Sequence, residues 1–403
     1  MSNPYRGLFQ VPGAWGFVLA GLLARLALPM TGIGIITLLS QLHGSYALAG
    51  AVSASFVLTY ALLSPLVSRL VDQHGQRRVL PIAGGLSVLG SVLLLACSYW
   101  QAPLPTLFVG AVLAGCMPSM SAMVRARWTA LYRGTAQLQT AYALETVLDE
   151  VTFIAGPPLA VGLSVALIPQ AGPLAAAVLL AIGIGALALQ VRTEPCVVVK
   201  VDSAPGCSIL RIAQVRLLVL LMVAMGVIVG TVDIVSVAFA GLLGMPAAAS
   251  LVLACYAIGS CAAGLAFGGL KLQASLHTLL LLGGVATALT TLPLLWVSNI
   301  LGLSLAVLVA GLFFAPTMIV AMSLVERSVP ERSLTEGMTW LLAGLNVGVA
   351  AGAAVSGHIV DGQGASAGFV VAVGAGGVVM LVALWGYRRM RVPLCCAPAC
   401  AGK

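Results

Sequence analysis

The chain has 403 residues, 61% of them hydrophobic and only 7% charged, with a mean hydropathy of +1.10 and a formal net charge of +8. Soluble domains average about 25% charged residues, and no soluble core could hide this much apolar surface, so the composition demands an integral membrane protein. Long unbroken apolar runs point to helices, not the short alternating strands of a barrel, and basic residues scattered over loops fit a cytoplasmic face better than a nucleic-acid surface.

In chain order, the opening MSNPYRGLFQVPGAWG lacks the charged start, short apolar run and small-residue cleavage site of a signal peptide, so the first helix is expected to be retained. Runs of about 20 apolar residues are needed to cross the hydrocarbon, and twelve are found. The first six lie near Trp15–Leu39, Ala47–Val67, Val79–Tyr99, Leu104–Val124, Gln139–Leu163 and Pro173–Val191. The second six lie near Val215–Leu243, Ala247–Leu270, Leu276–Val297, Ile300–Leu324, Gly337–Val360 and Ala367–Tyr387. The expected organisation is an all-α membrane protein: a six-helix bundle over 1–191, a cytoplasmic linker over 192–214, a second six-helix bundle over 215–388 and a tail over 389–403.

With the N-terminus in the cytoplasm, Arg6, Arg69, Arg77, Arg78, Arg125, Arg127, Arg133, Arg192, Lys200, Arg211, Arg216, Lys271, Arg327, Arg332, Arg388, Arg389, Arg391 and Lys403 all fall inside. Of the 19 Lys and Arg, 18 thus land on the cytoplasmic side, and the exception, Arg25, lies inside a helix. This bias predicts both termini in the cytoplasm. Trp15, Trp100, Trp128 and Trp385 sit near span ends, as an aromatic belt would.

Faint repetition relates the halves. Ala114-Gly115 precedes Pro118-Ser119-Met120 in span four, as Ala310-Gly311 precedes Pro316-Thr317-Met318 in span ten. Setting Gly156 over Gly352 places Asn346 opposite Glu150.

Cys97, Cys116, Cys255 and Cys261 lie in apolar runs and read as packing residues; Cys196 and Cys207 fall in the linker, and Cys395, Cys396 and Cys400 in the tail. No spacing matches a zinc site, and no nucleotide loop or nucleophile motif is present. His43, His74, His277 and His358 are scattered. Neither metal nor cofactor is expected, and energy would come from an ion or solute gradient instead of ATP.

Between spans two and three the chain reads Ser68-Arg69-Leu70-Val71-Asp72-Gln73-His74-Gly75-Gln76-Arg77-Arg78-Val79-Leu80. This resembles the signature loop of the major facilitator superfamily, with Asp72, Gly75 and Arg77 matching and Ser68, Gln73 and Gln76 departing. The resemblance implies that Asp72 pairs with loop basic groups such as Arg77 and Arg78 and latches the two halves on the cytoplasmic side. The loop between spans eight and nine, Gly269-Leu270-Lys271-Leu272, has no acid, so such a latch would be one-sided. Gly156-Pro157 in span five resembles the family's antiporter signature, although Ala160 and Val161 replace its closing glycines. That motif implies close helix contact, a kink and export.

The costly residues are the buried charges. Span five carries Glu145, Asp149 and Glu150, and each ionised carboxylate at mid-membrane costs about 2.5–3.5 kcal/mol on insertion scales. At about 100° per residue, Glu145 and Asp149 share a face with Gly156, while Glu150 points roughly a quarter turn away. Arg25 and Asp149 both lie roughly 15 Å deep. In the fold the resemblance implies, helices one and five both line the central cavity, so Arg25 is expected to pair with Asp149 or Glu150. One acid then stays ionised, and Glu150 or Glu145 carries an exchangeable proton. Asp233 in span seven, about 25 Å from the cytoplasmic end, is a candidate for a cationic substrate or a second proton. Glu336 reads as an N-terminal helix acid beside Glu331 and Arg332. Tyr60, Tyr142, Tyr256, Trp340 and Asn346 are candidate cavity liners for an amphipathic substrate.

The expectation is a monomeric twelve-helix secondary transporter in a bacterial cytoplasmic membrane, exporting a small amphipathic compound such as a drug, secondary metabolite or siderophore in exchange for protons. An uptake symporter or facilitator would share the fold, and a lipid flippase or membrane sensor is the alternative of a different class.

Overall fold

The computed structural model describes residues 4–43, 46–196, 209–245, 248–270 and 274–390. Cys207, Cys395, Cys396 and Cys400, the linker's Lys200, the tail from 391 on and the Lys271-Leu272 pair lie outside the described residues. In hydrocarbon every backbone N–H and C=O must be satisfied within the segment, and these apolar runs do so as helices. They are α1 (Pro4–Leu8), α2 (Ala14–His43), α3 (Tyr46–His74), α4 (Gln76–Tyr99), α5 (Leu104–Ala114), α6 (Met120–Tyr132) and α7 (Gln137–Ala166). After them come α8 (Ala171–Leu189), α9 (Ala213–Leu242), α10 (Ala248–Gly269), α11 (Leu276–Thr291), α12 (Ile300–Ser328), α13 (Leu334–Gln363) and α14 (Ala365–Met390).

Eleven helices among the described residues are long and apolar enough to cross a membrane. The twelfth crossing is made in two pieces. The predicted span Leu104–Val124 is instead α5, a break over 115–119, and α6 running on to Tyr132. Pro118 has no N–H to give and disfavours helical geometry in the residue before it. Gly115 lies so close to α3 that an added Cβ would meet the Phe56 carbonyl at 2.8 Å. The related Pro316 sits inside an unbroken α12, so the repeat diverges at this point.

The presumed loop between spans two and three is also shorter than expected. α3 runs to His74 and α4 starts at Gln76, leaving Gly75 alone between them at φ +88°. An L side chain rarely adopts that conformation, and glycine takes it freely.

α2 packs on α3, α7 and α8, and α4 on α5 and α8; α9 packs on α13 and α14, α10 on α12, and α11 on α12 and α14. Across the two groups, α7 meets α10 and α12, and α3 and α6 meet α13. Small residues permit the tightest contacts. Gly226 and Gly230 of α9 face the Leu345 and Val349 carbonyls of α13, while Gly348 and Gly352 face Val223 and Val227 in return. Gly156 of α7 lies against Pro29 of α2, where a Cβ would come within 2.8 Å. Gly156 and Gly352 are thus both points of close approach, to α2 and α9 respectively. Trp15, Trp100 and Trp385 are exposed near helix ends, but Trp128 is fully buried and belongs to no belt.

Candidate functional site

The site is a buried charge cluster where α2, α6 and α7 meet, continued by a contact from α7 to α10. Asp149 lies one turn after Glu145 on α7, so both carboxylates face Arg25 of α2. Arg25 binds Glu145 through Nη2 and Asp149 through Nη1 at 3.1 Å. Its other expected partner, Glu150, is not reached. The structure brings in a second cation instead, Arg125 of α6, whose Nη2 lies 2.7 Å from the other Asp149 oxygen. Ser121 donates to Asp149 at 2.5 Å, and the Trp128 indole N–H donates to Glu145 at 2.7 Å. Two arginines and two carboxylates therefore balance in a largely buried space, with Arg125 and Glu145 both fully buried.

Ser121, Arg125 and Trp128 follow at helical spacing on one face of α6, and all three reach the acids of α7. Reading Arg125, Arg127 and Trp128 as loop and belt missed them. The signal was present as a polar stripe, S-x-x-x-R-x-x-W, directly after Pro118. Trp128 is held by rings on both sides, Phe17 at 4.7 Å edge-on and Tyr132 at 5.8 Å stacked. Arg127, also expected in a loop, is 1% exposed and held by neutral acceptors. It donates to Gln76 at 2.8 Å, Thr193 at 2.7 Å and the carbonyls of Leu187 and Gln190.

Glu150 points away from this cluster, as its quarter-turn offset requires. Its Oε1 accepts from Ser260 of α10 at 2.9 Å, and no ion pair to it is formed among the described residues. Asp233 and Asp149 lie within electrostatic reach of it. Asp233, half-buried on α9, likewise pairs with no cation among the described residues.

At the arginine-rich end, Asp72 does not pair with Arg77 or Arg78, which are exposed. Its two oxygens accept the backbone N–H groups of Thr335 and Glu336 at 3.2 and 2.9 Å. These are among the unsatisfied donors at the start of α13, where a negative charge also meets the positive end of the helix dipole. Ser68, where the family pattern has glycine, hydrogen-bonds Thr339 at 2.8 Å. Arg133 pairs with Glu326 at 3.1 Å and with Glu331. Gln139 and Thr140 donate to the carbonyls of Phe267 and Gly268 at 3.1 and 2.6 Å. The Arg77 backbone N–H goes to Glu194, 2.8 Å away. The hydrogen bonds of Ser68, Asp72, Gln139 and Thr140, together with Glu150–Ser260, tie the two groups of helices to each other toward this end.

The candidate liners divide. Tyr142 is fully buried with its hydroxyl on Thr129 at 2.7 Å, between α6 and α7, and faces no opening. Tyr60 is buried, and Trp340 and Asn346 are half-buried. Tyr256 lies against Phe314, ring centres 6.0 Å apart. No group of three or more potential metal ligands is present among the described residues.

The family model described as Major Facilitator Superfamily matches residues 17–300 and 218–394. No curated protein sequence matches. Many solved structures share the fold, three of which serve as examples. The human organic anion transporter MFSD10 (TETRAN) superposes with a TM-score of 0.68 at 15% identity, covering 93% of this chain and 99% of that one. The fucose:proton symporter of E. coli gives 0.64 at 15%, covering 92% and 98%. A bacterial homologue of the iron transporter ferroportin, solved in an outward-facing state, gives 0.73 at 12%, covering 91% and 98%.

Proposed function

The chain belongs to the major facilitator superfamily and is a secondary transporter, and we propose that it is a proton-coupled exporter of a small amphipathic compound. The observation that carries this reading is the division of labour among the three acids of α7. Arg25 and Arg125 neutralise Glu145 and Asp149. Glu150 is left with one hydroxyl, at the point where the two groups of helices touch.

An ionised carboxylate with a single neutral partner is poorly accommodated in a low-dielectric site, whereas a protonated one is readily accepted. Glu150 protonated lets α7 close on α10. Glu150 ionised favours opening, or a cation in place of the proton. Proton and cargo then compete for one site, which is the elementary requirement of exchange. Six helices over 1–191 and six over 215–388 act as the two rocking bodies. Asp72 on the start of α13 biases the equilibrium toward closure at the arginine-rich end. The positive charge of that end orients it to the cytoplasm of a bacterial inner membrane, with both chain termini inside.

The test uses inside-out vesicles with an imposed pH gradient, together with proton release from the purified protein on adding cargo. Wild type should exchange cargo against protons. Glu150→Gln should bind cargo without releasing a proton. Cargo moving with protons would overturn export in favour of symport, and undiminished release from Glu150→Gln would remove this residue from coupling.

A further inference from the structure

The segment before the first crossing, Pro4–Leu8, has no part in the transport scheme above. It is fastened to the first group of helices. Leu8 is fully buried, and its carbonyl accepts from the Tyr132 hydroxyl of α6 at 3.0 Å. The next residue, Phe9, stacks on Trp15 with ring centres 4.0 Å apart. It also meets, edge-on at 6.2 Å, Trp128, the indole that holds Glu145. Chain continuity with α2 adds to these contacts, so the segment moves with the first group. Tyr5 nevertheless crosses to the second group, where its hydroxyl donates to the Leu265 carbonyl of α10 at 2.6 Å.

The place it reaches is the end of α10. The last carbonyls of a helix find no N–H further along their own helix. Two of them here, on Phe267 and Gly268, accept from Gln139 and Thr140 of α7. Tyr5 supplies a third donor from the first group, less than one turn back along α10. Gly268 makes the room for it: a Cβ there would stand 2.8 Å from the Tyr5 oxygen and would collide with Ala143 of α7.

We propose that Pro4–Leu8 is a strap across the arginine-rich end and Tyr5 its latch. The Tyr5–Leu265 bond holds while that end is closed and breaks before the two groups part there. The inference rests on the rocking-transporter reading above and adds to it a gating residue that lies outside the crossings. Tyr5 is half-buried and Leu265 is 40% exposed, so water satisfies both groups once the end opens. The latch therefore sets a bias and not a lock. A hydrogen bond of this kind shifts the ratio of open to closed forms about two- to tenfold.

The test is the distance between spin labels in the purified full-length protein, with its native cysteines replaced by alanine. Labels at Arg78→Cys and Arg327→Cys span the arginine-rich end, and labels at Gln41→Cys and Gln363→Cys span the opposite end; all four are exposed helix positions. Tyr5→Phe keeps the ring and loses the donor. It should raise the ratio of lengthened to short distances in the first pair about two- to tenfold, and shorten the second pair in step. Tyr132→Phe, which loosens the strap from the first group, should act in the same direction, and it carries the test should Tyr5→Phe fail to fold. Melting temperatures establish the fold of each variant. A change confined to the first pair would show fraying without gating and overturn the proposal. So would a folded Tyr5→Phe protein with both distributions unchanged. Asp72→Asn separates the two failures. If it moves both pairs while Tyr5→Phe moves neither, rocking stands and the strap falls. If no variant moves the pairs in opposite senses, rocking and strap fall together.

Discussion

Asp149→Asn is the sharpest perturbation of the buried cluster. In the wild type, Arg25 and Arg125 face Glu145 and Asp149, and the charges cancel. The substitution leaves two arginines on one carboxylate, with Arg125 fully buried and its Nε and Nη1 already without hydrogen-bond partners. Removing one member of a buried pair costs about 3–5 kcal/mol, because the remaining charge is stranded. Asp149 is 14% exposed, so water screens little of this. At about 2.1 cal/mol/K per residue, the unfolding entropy of 403 residues is about 0.85 kcal/mol/K, and the melting temperature should fall by about 4–6 °C. The assay is thermal unfolding of the purified protein in detergent. The decisive comparison is Asp149→Asn with Arg125→Met. That double variant restores the balance around Arg25 and Glu145 and should recover at least half of the lost melting temperature. If the double variant melts no higher than Asp149→Asn alone, or if Asp149→Asn melts with the wild type, the balanced-cluster reasoning is refuted.

Trp128→Phe keeps the ring between Phe17 and Tyr132 but removes the donor to Glu145. A hydrogen bond to a charged group contributes about 1.5–3 kcal/mol, so melting should drop by about 2–4 °C, and an unchanged melting curve would show the bond is not made. Asp72→Asn keeps an acceptor for one N–H of α13 but loses the charge at the helix start, an interaction of about 0.3–2 kcal/mol. Thiol labelling of single cysteines at the arginine-rich end should rise in that variant, and unaltered labelling would argue against the latch. Gly348→Ala places a methyl group on the Val223 carbonyl, and overpacking of this kind costs about 1–3 kcal/mol. Gly374→Ala meets nothing within 4 Å and should melt like wild type; equal melting of the two variants would contradict the close α9–α13 contact.

Membrane residence, helical class, the count of crossings and their order were all legible from the chain, because apolar run length is set by the thickness of hydrocarbon and needs no partner to be read. The cost of charge in oil likewise picked out Arg25, Glu145, Asp149 and Glu150 before any contact was known. Helical periodicity even separated Glu150 from the face shared by the other two. Where a polar residue falls at the end of an apolar run, however, hydropathy cannot tell loop from buried helix. Arg125, Arg127 and Trp128 look like anchors outside the membrane and are instead the buried partners of α7 and α8. Pro118 marked a break, but Pro316 in a similar setting did not make one, since a neighbouring helix and not the local sequence decides whether a strained turn is tolerated. Which cation meets which acid, that Asp72 binds a helix start in place of Arg77, and that Tyr142 is sealed between α6 and α7 while Tyr256 lies against Phe314 are facts of rotation and approach between helices. A pattern of residues along one helix fixes its own faces, but only packing against the others selects what each face meets.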